Sequence, residues 1–67
     1  MKISFDPKAD IIRIKFQDGT YDISKELEDG IILDMTKDKK LMAIEILDIT
    51  ERIPGKSLKE ITTVISG

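Results

Sequence analysis

Apolar and polar residues alternate along most of this chain, and the alternation continues across several turn signals between Ile3 and Leu47. A repeat of two residues places successive side chains on opposite faces of a β-strand, so the pattern predicts strands. Asp-Pro, Asp-Gly and Lys-Asp-Lys-Lys segments separate the runs and are typical of tight turns. The spacing becomes helical only after Gly55. The sequence therefore predicts an α+β fold: an antiparallel five-stranded β-meander with one C-terminal α-helix packed on one face.

The connection between the second and third predicted strands contains an Asp-Gly pair at positions 18–19. This pair favours a two-residue hairpin with a type I′ turn. The turn would bring apolar residues of the two strands together, setting Phe16 opposite Tyr21 and Ile14 opposite Ile23.

Two later hairpins are predicted to have three-residue loops, at 28–30 and 37–39. In the first loop a left-handed Gly30 would form a bulge, because a two-residue loop would place glutamates on the apolar side. In the second loop Lys39 would take a left-handed conformation that glycine adopts at lower cost. The resulting pairs are Leu27 with Ile31 and Ile23 with Met35 in the first hairpin, and Met35 with Leu41 and Leu33 with Ala43 in the second.

The chain is predicted to be one domain over residues 1–67, with the sheet at 2–49, a connector at 50–56 and a helix at 57–66. Ser57 and Glu60 have the spacing of a capping box, in which each side chain binds a free N–H of the first helical turn. Leu58, Ile61 and Ile65 form a narrow apolar stripe on that helix.

The predicted registers divide the sheet into two faces. The core face is expected to carry Lys25 and Glu45 as its only charged residues, among Ile3, Phe5, Ile12, Ile14, Phe16, Tyr21, Ile23, Leu27, Ile31, Leu33, Met35, Leu41, Ala43 and Leu47. The opposite face is expected to be apolar only over the last two strands, at Ile32, Met42, Ile44 and Ile46. A clustered apolar patch of this kind marks an interaction surface, although scattered surface isoleucines need no explanation.

Polar residues of the second face form a cross-strand row of Arg13, Ser24 and Asp34. This row is either a polar lock at a dimer interface or a solvated ladder. The interface hypothesis therefore comprises Ile32, Met42, Ile44, Ile46, Arg13 and Asp34.

Glu45 is unusual because the sequence places its carboxylate among apolar neighbours. An ion pair with Lys25 or exposure at the sheet margin would satisfy it. An enzyme acting through Glu45 and Arg13 would instead require a cleft around these two residues.

The composition excludes several classes of function. The chain of 67 residues contains neither cysteine nor histidine, which removes disulfides, thiolate sites and the commonest transition-metal ligand. Acidic residues near one hairpin, Glu26, Glu28, Asp29 and Asp34, are oxygen ligands without the spacing of a calcium loop. No metal, cofactor or catalytic residue is therefore predicted.

The charge pattern and the hydropathy limit the partners. The net charge is −2 and the charges are interspersed, so no basic stripe points to nucleic acid. No stretch is long and apolar enough to span a membrane, and the chain opens directly into a strand without a signal-peptide pattern. We expect a cytoplasmic protein, and since so small a core is marginal, we expect self-association.

Three segments are similar to the prokaryotic family known as domain of unknown function 2283. They are Ile3-Ser4-Phe5-Asp6-Pro7-Lys8-Ala9-Asp10, Glu28-Asp29-Gly30-Ile31-Ile32-Leu33-Asp34 and Ile44-Glu45-Ile46-Leu47-Asp48. The likeness covers roughly positions 2–53, and Lys39 stands where this family often has glycine. The resemblance implies a small single-domain protein without an established activity. It also implies, for some members, an antitoxin-like role in binding a small ribonuclease-type toxin.

Together these features predict a non-enzymatic protein-interaction domain that forms a homodimer. The alternative is an antitoxin-like module that binds a small toxin-like protein through the same patch or an open strand edge.

Overall fold

The structure, a computed structural model, describes the backbone of residues 1–66 and the side chains of residues 1–61. One sheet contains five strands, and two helices follow it. The strands are β1 (Lys2–Asp6), β2 (Ile11–Lys15), β3 (Ile23–Glu28), β4 (Ile31–Met35) and β5 (Leu41–Leu47), and the helices are α1 (Ile49–Arg52) and α2 (Gly55–Ser66). All strand pairs are antiparallel. The predicted α+β class and the five-stranded antiparallel sheet are confirmed.

The strand order is β1-β2-β5-β4-β3. Three of the four connections join neighbouring strands, as in a meander, whereas the connection at 16–22 passes from β2 to β3 with β5 and β4 between them. The hairpin predicted at 18–19 is therefore wrong, because Ile14 faces Ile44 of β5 rather than Ile23. Three strand spacings are about 14 Å, which a two-residue turn cannot span and the longer connection can.

The β3–β4 hairpin follows the prediction at its open end. Ile23 lies opposite Met35, as expected. The predicted three-residue loop is wrong, because Glu28 and not Leu27 faces Ile31 and only Asp29 and Gly30 form the loop. A bulge between Glu26 and Glu28, with Leu27 as the extra residue, restores the apolar pairing further along the strand. Because Leu27 has no partner in the ladder, its side chain is 54% exposed.

The β4–β5 hairpin also begins as predicted. Met35 faces Leu41, and Lys39 has φ 66° in the left-handed region. A register shift between Asp34 and Met35 then moves the pairing by one residue, so Leu33 faces Ile44 instead of Ala43. A slip of one residue reverses every side chain that follows it.

This shift changes the two faces of the sheet. Side chains of paired residues share a face, so the register defines an apolar face. The apolar face consists of Ile3, Phe5, Ile12, Ile14, Ile23, Lys25, Glu28, Ile31, Leu33, Met35, Met42, Ile44 and Ile46. The polar face consists of Ser4, Ile11, Arg13, Lys15, Ser24, Glu26, Ile32, Asp34, Ala43, Glu45 and Leu47. The predicted faces of β5 were therefore wrong: the core face was expected to carry Ala43, Glu45 and Leu47, and the reverse face Met42, Ile44 and Ile46.

The core is small. The buried apolar residues among those described are Ile12, Met42, Ala43 and Ile49. Four residues expected in the core are at least 40% exposed, because they lie in the 16–22 connection or beside a bulge: Phe16, Tyr21, Leu27 and Leu41.

The helical part begins earlier than predicted. α1 occupies part of the expected connector, and α2 begins at Gly55, with Leu58 N donating to Pro54 O at 3.1 Å. Proline suits a helix start because it has a fixed φ and no N–H to satisfy. Ser57 is thus inside the helix, and the predicted cap is wrong. The side chain of Ile65, the last residue of the predicted stripe, lies outside the described residues.

α2 contacts β1. Neither helix in the described part of the chain is long and apolar enough to cross a membrane.

Polar contacts fix α1 against the sheet. Thr50 donates to the Asp10 carboxylate through its N–H at 3.3 Å and through its hydroxyl at 2.6 Å. Arg52 Nε donates to Leu47 O at 2.6 Å, and its Nη2 donates to Asp29 O in the β3–β4 turn. α1 thereby joins the end of β5 to a turn at the sheet edge.

Candidate functional site

The apolar face is incompletely covered. Ile12 and Met42 are its only buried members, while the other apolar side chains of this face remain partly exposed. Its charged residues are Lys25, opposite Leu33, and Glu28, opposite Ile31 beside the bulge, and all of its members belong to the described part of the chain. A continuous apolar surface of this size on one side of a sheet is characteristic of an interaction site.

The six residues of the interface hypothesis do not share one surface. Met42, Ile44 and Ile46 lie on the apolar face, and Met42 is only 8% exposed. The other three, Ile32, Arg13 and Asp34, lie on the polar face. The register shift beside Met35 separates the two groups, because it turns β5 over relative to the prediction.

Asp34 is the centre of a polar cluster on the polar face. Its side chain has no exposed surface. Ser24 Oγ, on the neighbouring strand β3, donates to Asp34 Oδ1 at 2.6 Å. A buried carboxylate requires such partners because removing its hydration costs roughly several kcal/mol when no hydrogen bond or opposite charge replaces the water.

Arg13 approaches the same carboxylate from β2, across the intervening strand β5. Its Nη2 lies 3.7 Å from Asp34 Oδ2, and its guanidinium carbon lies 5.8 Å from the centre of the Tyr21 ring. Two buried atoms of this pair, Arg13 Nε and Asp34 Oδ2, have no hydrogen-bond partner. Arg13, Ser24 and Asp34 therefore share the polar face, but the predicted single row is wrong: Ser24 and Asp34 lie in one row with Ala43, and Arg13 lies in the next row, opposite Glu45. Tyr21 is a neighbour of Arg13 that the sequence did not indicate.

Glu45 completes the cluster from the strand between Arg13 and Asp34. It lies directly opposite Arg13 on one side and Ile32 on the other, and diagonally from Asp34. A hydrogen bond with the Asp34 carboxyl, burial, and the Asp34 charge together raise the pKa of Glu45, while the Arg13 charge lowers it. Two carboxyls in hydrogen-bonding contact favour a state in which one of them is protonated.

The ion pair considered for Glu45 and Lys25 is not formed. Lys25 faces Leu33 on the apolar face, whereas Glu45 lies on the polar face. Glu45 lies on the polar face, beside Arg13 and Asp34, because of the register shift in the β4–β5 hairpin. No local signal in the sequence indicates this shift.

A cleft of about 250 Å³ adjoins this cluster. Its lining residues are Ser4, Phe5, Asp6, Ile11, Arg13 and Glu45. The cleft that an enzyme acting through Glu45 and Arg13 would require is therefore present.

The acidic residues near the β3–β4 turn have structural contacts. Glu26 Oε2 accepts a hydrogen bond from Gly30 N at 2.9 Å, and Asp34 points into the polar cluster. Within the described residues, no group of three or more acidic side chains is arranged to hold a metal ion.

The fold and the two faces define a small α+β domain built on a single antiparallel sheet. A family model described as "Protein of unknown function (DUF2283)" matches residues 2–49, which include all five strands. The chain belongs to this family, and the resemblance seen in the sequence is confirmed. Comparison with curated proteins gave no match, and comparison with solved structures gave none.

Proposed function

We propose that this chain is a non-enzymatic protein-interaction domain that forms a homodimer through its apolar face. The observation that supports the proposal is the partial exposure of a nearly uncharged sheet face of large aliphatic residues. Full burial of such a side chain contributes roughly 1.5–3 kcal/mol relative to full exposure, so covering the part of each side chain that is still exposed would add a fraction of this amount.

The area of the surface agrees with one partner of the same size. The chain exposes 5059 Å². A folded protein of 7.6 kDa is expected to expose roughly 4,300 Å². The surplus of roughly 750 Å² is close to the ~800 Å² that each partner of a standard interface buries.

The geometry of a sheet face also suits a second copy. Two sheets pack face to face at a separation of about 10 Å, with side chains of both inner faces forming one core. A two-fold dimer uses the same surface on both subunits, which requires a face without strong charge of one sign. The apolar face meets this condition, since its charged residues, Lys25 and Glu28, are of opposite sign and lie on the edge strand β3.

A cytoplasmic location belongs to the same proposal, since the absence of cysteine suits a reducing compartment. An antitoxin-like domain would instead keep its apolar face free for a heterologous partner. That alternative predicts a monomer when the protein is studied alone.

Sedimentation equilibrium and light scattering of the wild-type protein over the micromolar range test the proposal. We expect a dimer mass and a melting temperature that rises with protein concentration, because dimerisation links folding to mass action. A monomer mass at every concentration, with a constant melting temperature, would contradict it.

Two matched substitutions identify the face. Ile14→Lys places a charge on the apolar face, and Ile32→Lys places the same charge on the polar face, at residues that are both half-buried. We expect Ile14→Lys to weaken dimerisation by at least about 100-fold and Ile32→Lys to leave it nearly unchanged. Circular dichroism of both variants verifies that the sheet is retained.

A further inference from the structure

We propose that the polar face contains a specific proton-binding site, in which Glu45 and Asp34 share one proton as a carboxylic acid–carboxylate pair beside Arg13. The ligand of this site is the proton itself. The inference concerns the polar face and does not depend on dimerisation through the apolar face.

The first support is the position of the two carboxyls. Asp34 lies opposite Ala43, and Glu45 is two residues further along β5 on the same face. Side chains on such a diagonal are about 7–8 Å apart at the backbone and are within reach when one of them is long. Alanine at position 43 leaves room for the two carboxyls to meet above β5.

The second support is the incomplete hydrogen bonding of Asp34. Ser24 donates to Oδ1, whereas Oδ2 is buried and has no hydrogen-bond partner. Arg13 Nη2, at 3.7 Å from Oδ2, is beyond ordinary hydrogen-bonding distance. A protonated Glu45 has an O–H that can donate to Oδ2, which satisfies the orphaned acceptor and removes one of two adjacent negative charges.

The third support is the charge balance around Glu45. Arg13 on β2 and Asp34 on β4 act directly on it, Asp6 on β1 lines the same cleft, and Glu26 on β3 shares the face. Lys15 on β2 is a second cation of this face, opposite Ala43, but its ammonium lies 3.4 Å from the Asp18 carboxylate. Arg13 is therefore the cation that acts on several carboxyls here. When the pair of carboxyls binds one proton, Arg13 and the ionised Asp34 have no net charge together, and Glu45 beside them is an uncharged acid.

The consequence for stability has a definite sign. The pKa of Glu45 is raised in the folded protein above its ordinary value of 4.5, so the folded state binds more protons than the unfolded state over that interval. The contribution of Glu45 to the free energy of unfolding is complete below the pKa that Glu45 has in the unfolded chain. It decreases as the pH rises toward the pKa of Glu45 in the folded protein. The folding equilibrium constant falls by up to about tenfold per pH unit within this window.

The direct test is a carbon-13 NMR titration of the carboxyl groups of the wild-type protein. We expect the Glu45 signal to titrate above 4.5, the ordinary pKa of a glutamate. Titration of Glu45 at or below its ordinary value would overturn the proposal, whatever the state of association.

Substitutions provide an independent test. Glu45→Gln retains an N–H donor toward Asp34 but cannot titrate. The stability of the wild type should decrease above pH 4.5, and this decrease should be absent in the variant. Glu28→Gln, at an exposed position of the same sheet, is the matched control and should keep that decrease.

Asp34→Asn distinguishes a shared proton from simple burial of Glu45. The amide introduced by this substitution can accept from Ser24 and donate to Glu45, so ionised Glu45 becomes satisfied and its titration should move down. The double variant, Asp34→Asn with Glu45→Gln, leaves Arg13 without a carboxylate and should be less stable than either single variant. Unchanged titration of Glu45 in Asp34→Asn would overturn the proposal.

Discussion

The two faces of this sheet reverse the usual relation between polarity and burial. On the apolar face most aliphatic side chains remain partly exposed, whereas on the polar face the Asp34 carboxylate has no exposed surface. A buried charge is tolerated because Ser24, Arg13 and Glu45 surround it. The partly exposed aliphatic side chains of the apolar face have no comparable contacts within the described part of the chain that would remove them from water. The contacts of Asp34 thus lie within one chain, whereas on the proposed dimer the apolar face would gain its further contacts from a second copy.

The largest effect should come from breaking the polar face at its centre. Asp34→Ala leaves the Ser24 hydroxyl and the Arg13 guanidinium without their shared acceptor. We expect a loss of about 3 kcal/mol in the free energy of unfolding, measured by urea denaturation. Asp18→Ala is the control, because Asp18 is 98% exposed beside Lys15 and should change the stability little. Equal losses in both variants would contradict a stabilising role of the contacts around Asp34.

A smaller effect should follow from Gly30→Ala, which tests how the turn supports both faces. Gly30 has φ 86°, and a Cβ at this position would collide with Arg52 Nη2, which donates to Asp29 O. We expect a loss of about 2 kcal/mol in the free energy of unfolding, since the left-handed strain and the displaced arginine act together. The Arg52→Ala background should recover part of this loss, because the collision is then removed.

A loss near 1 kcal/mol is expected for Ser24→Ala, which removes one hydrogen bond to Asp34 and leaves the ion pair in place. Thermal unfolding measures it. The effect should be clearly smaller than that of Asp34→Ala, and a larger effect would mean that the hydroxyl, rather than the charges, holds the cluster together.

The smallest effect should arise on the apolar face from Lys25→Leu. This substitution removes the positive charge of that face at an exposed position opposite Leu33. We expect the dimer dissociation constant to decrease by about threefold to tenfold, measured by sedimentation equilibrium, with little change in the fold. A weakened dimer would show that Lys25 binds an acidic group of the partner.

Some elements of the fold were predictable because their causes are local. Alternation identified the strand segments, and the turn residues identified the left-handed Gly30 and Lys39. Pairing of Ile23 with Met35 and of Met35 with Leu41 followed from the same turns. Arg13, Ser24 and Asp34 were correctly placed on one face, because alternation along each strand decides this, but not in one row, because β2 pairs with β5 and not with β3.

Other elements could not be predicted from local patterns. The Asp-Gly pair at 18–19 favours a hairpin, yet β2 pairs with β5, which sets Ile14 beside Ile44 on one apolar face. The register shift near Met35 gives no signal in composition, but it decides on which face Glu45 lies. The start of α2 at Gly55 depends on Pro54 as the first acceptor, while Ser57 and Glu60 offered a competing capping pattern.

The amino-acid sequence by itself determined the number of strands, the turn conformations and the family, because side-chain alternation and backbone preferences act over a few neighbouring residues. Only the tertiary structure decided the strand order, the faces of β5 and the meeting of Asp34 with Glu45. These features depend on which distant strand is chosen as a partner and on a single-residue slip, and the free energy of both is set by the packing of the whole sheet.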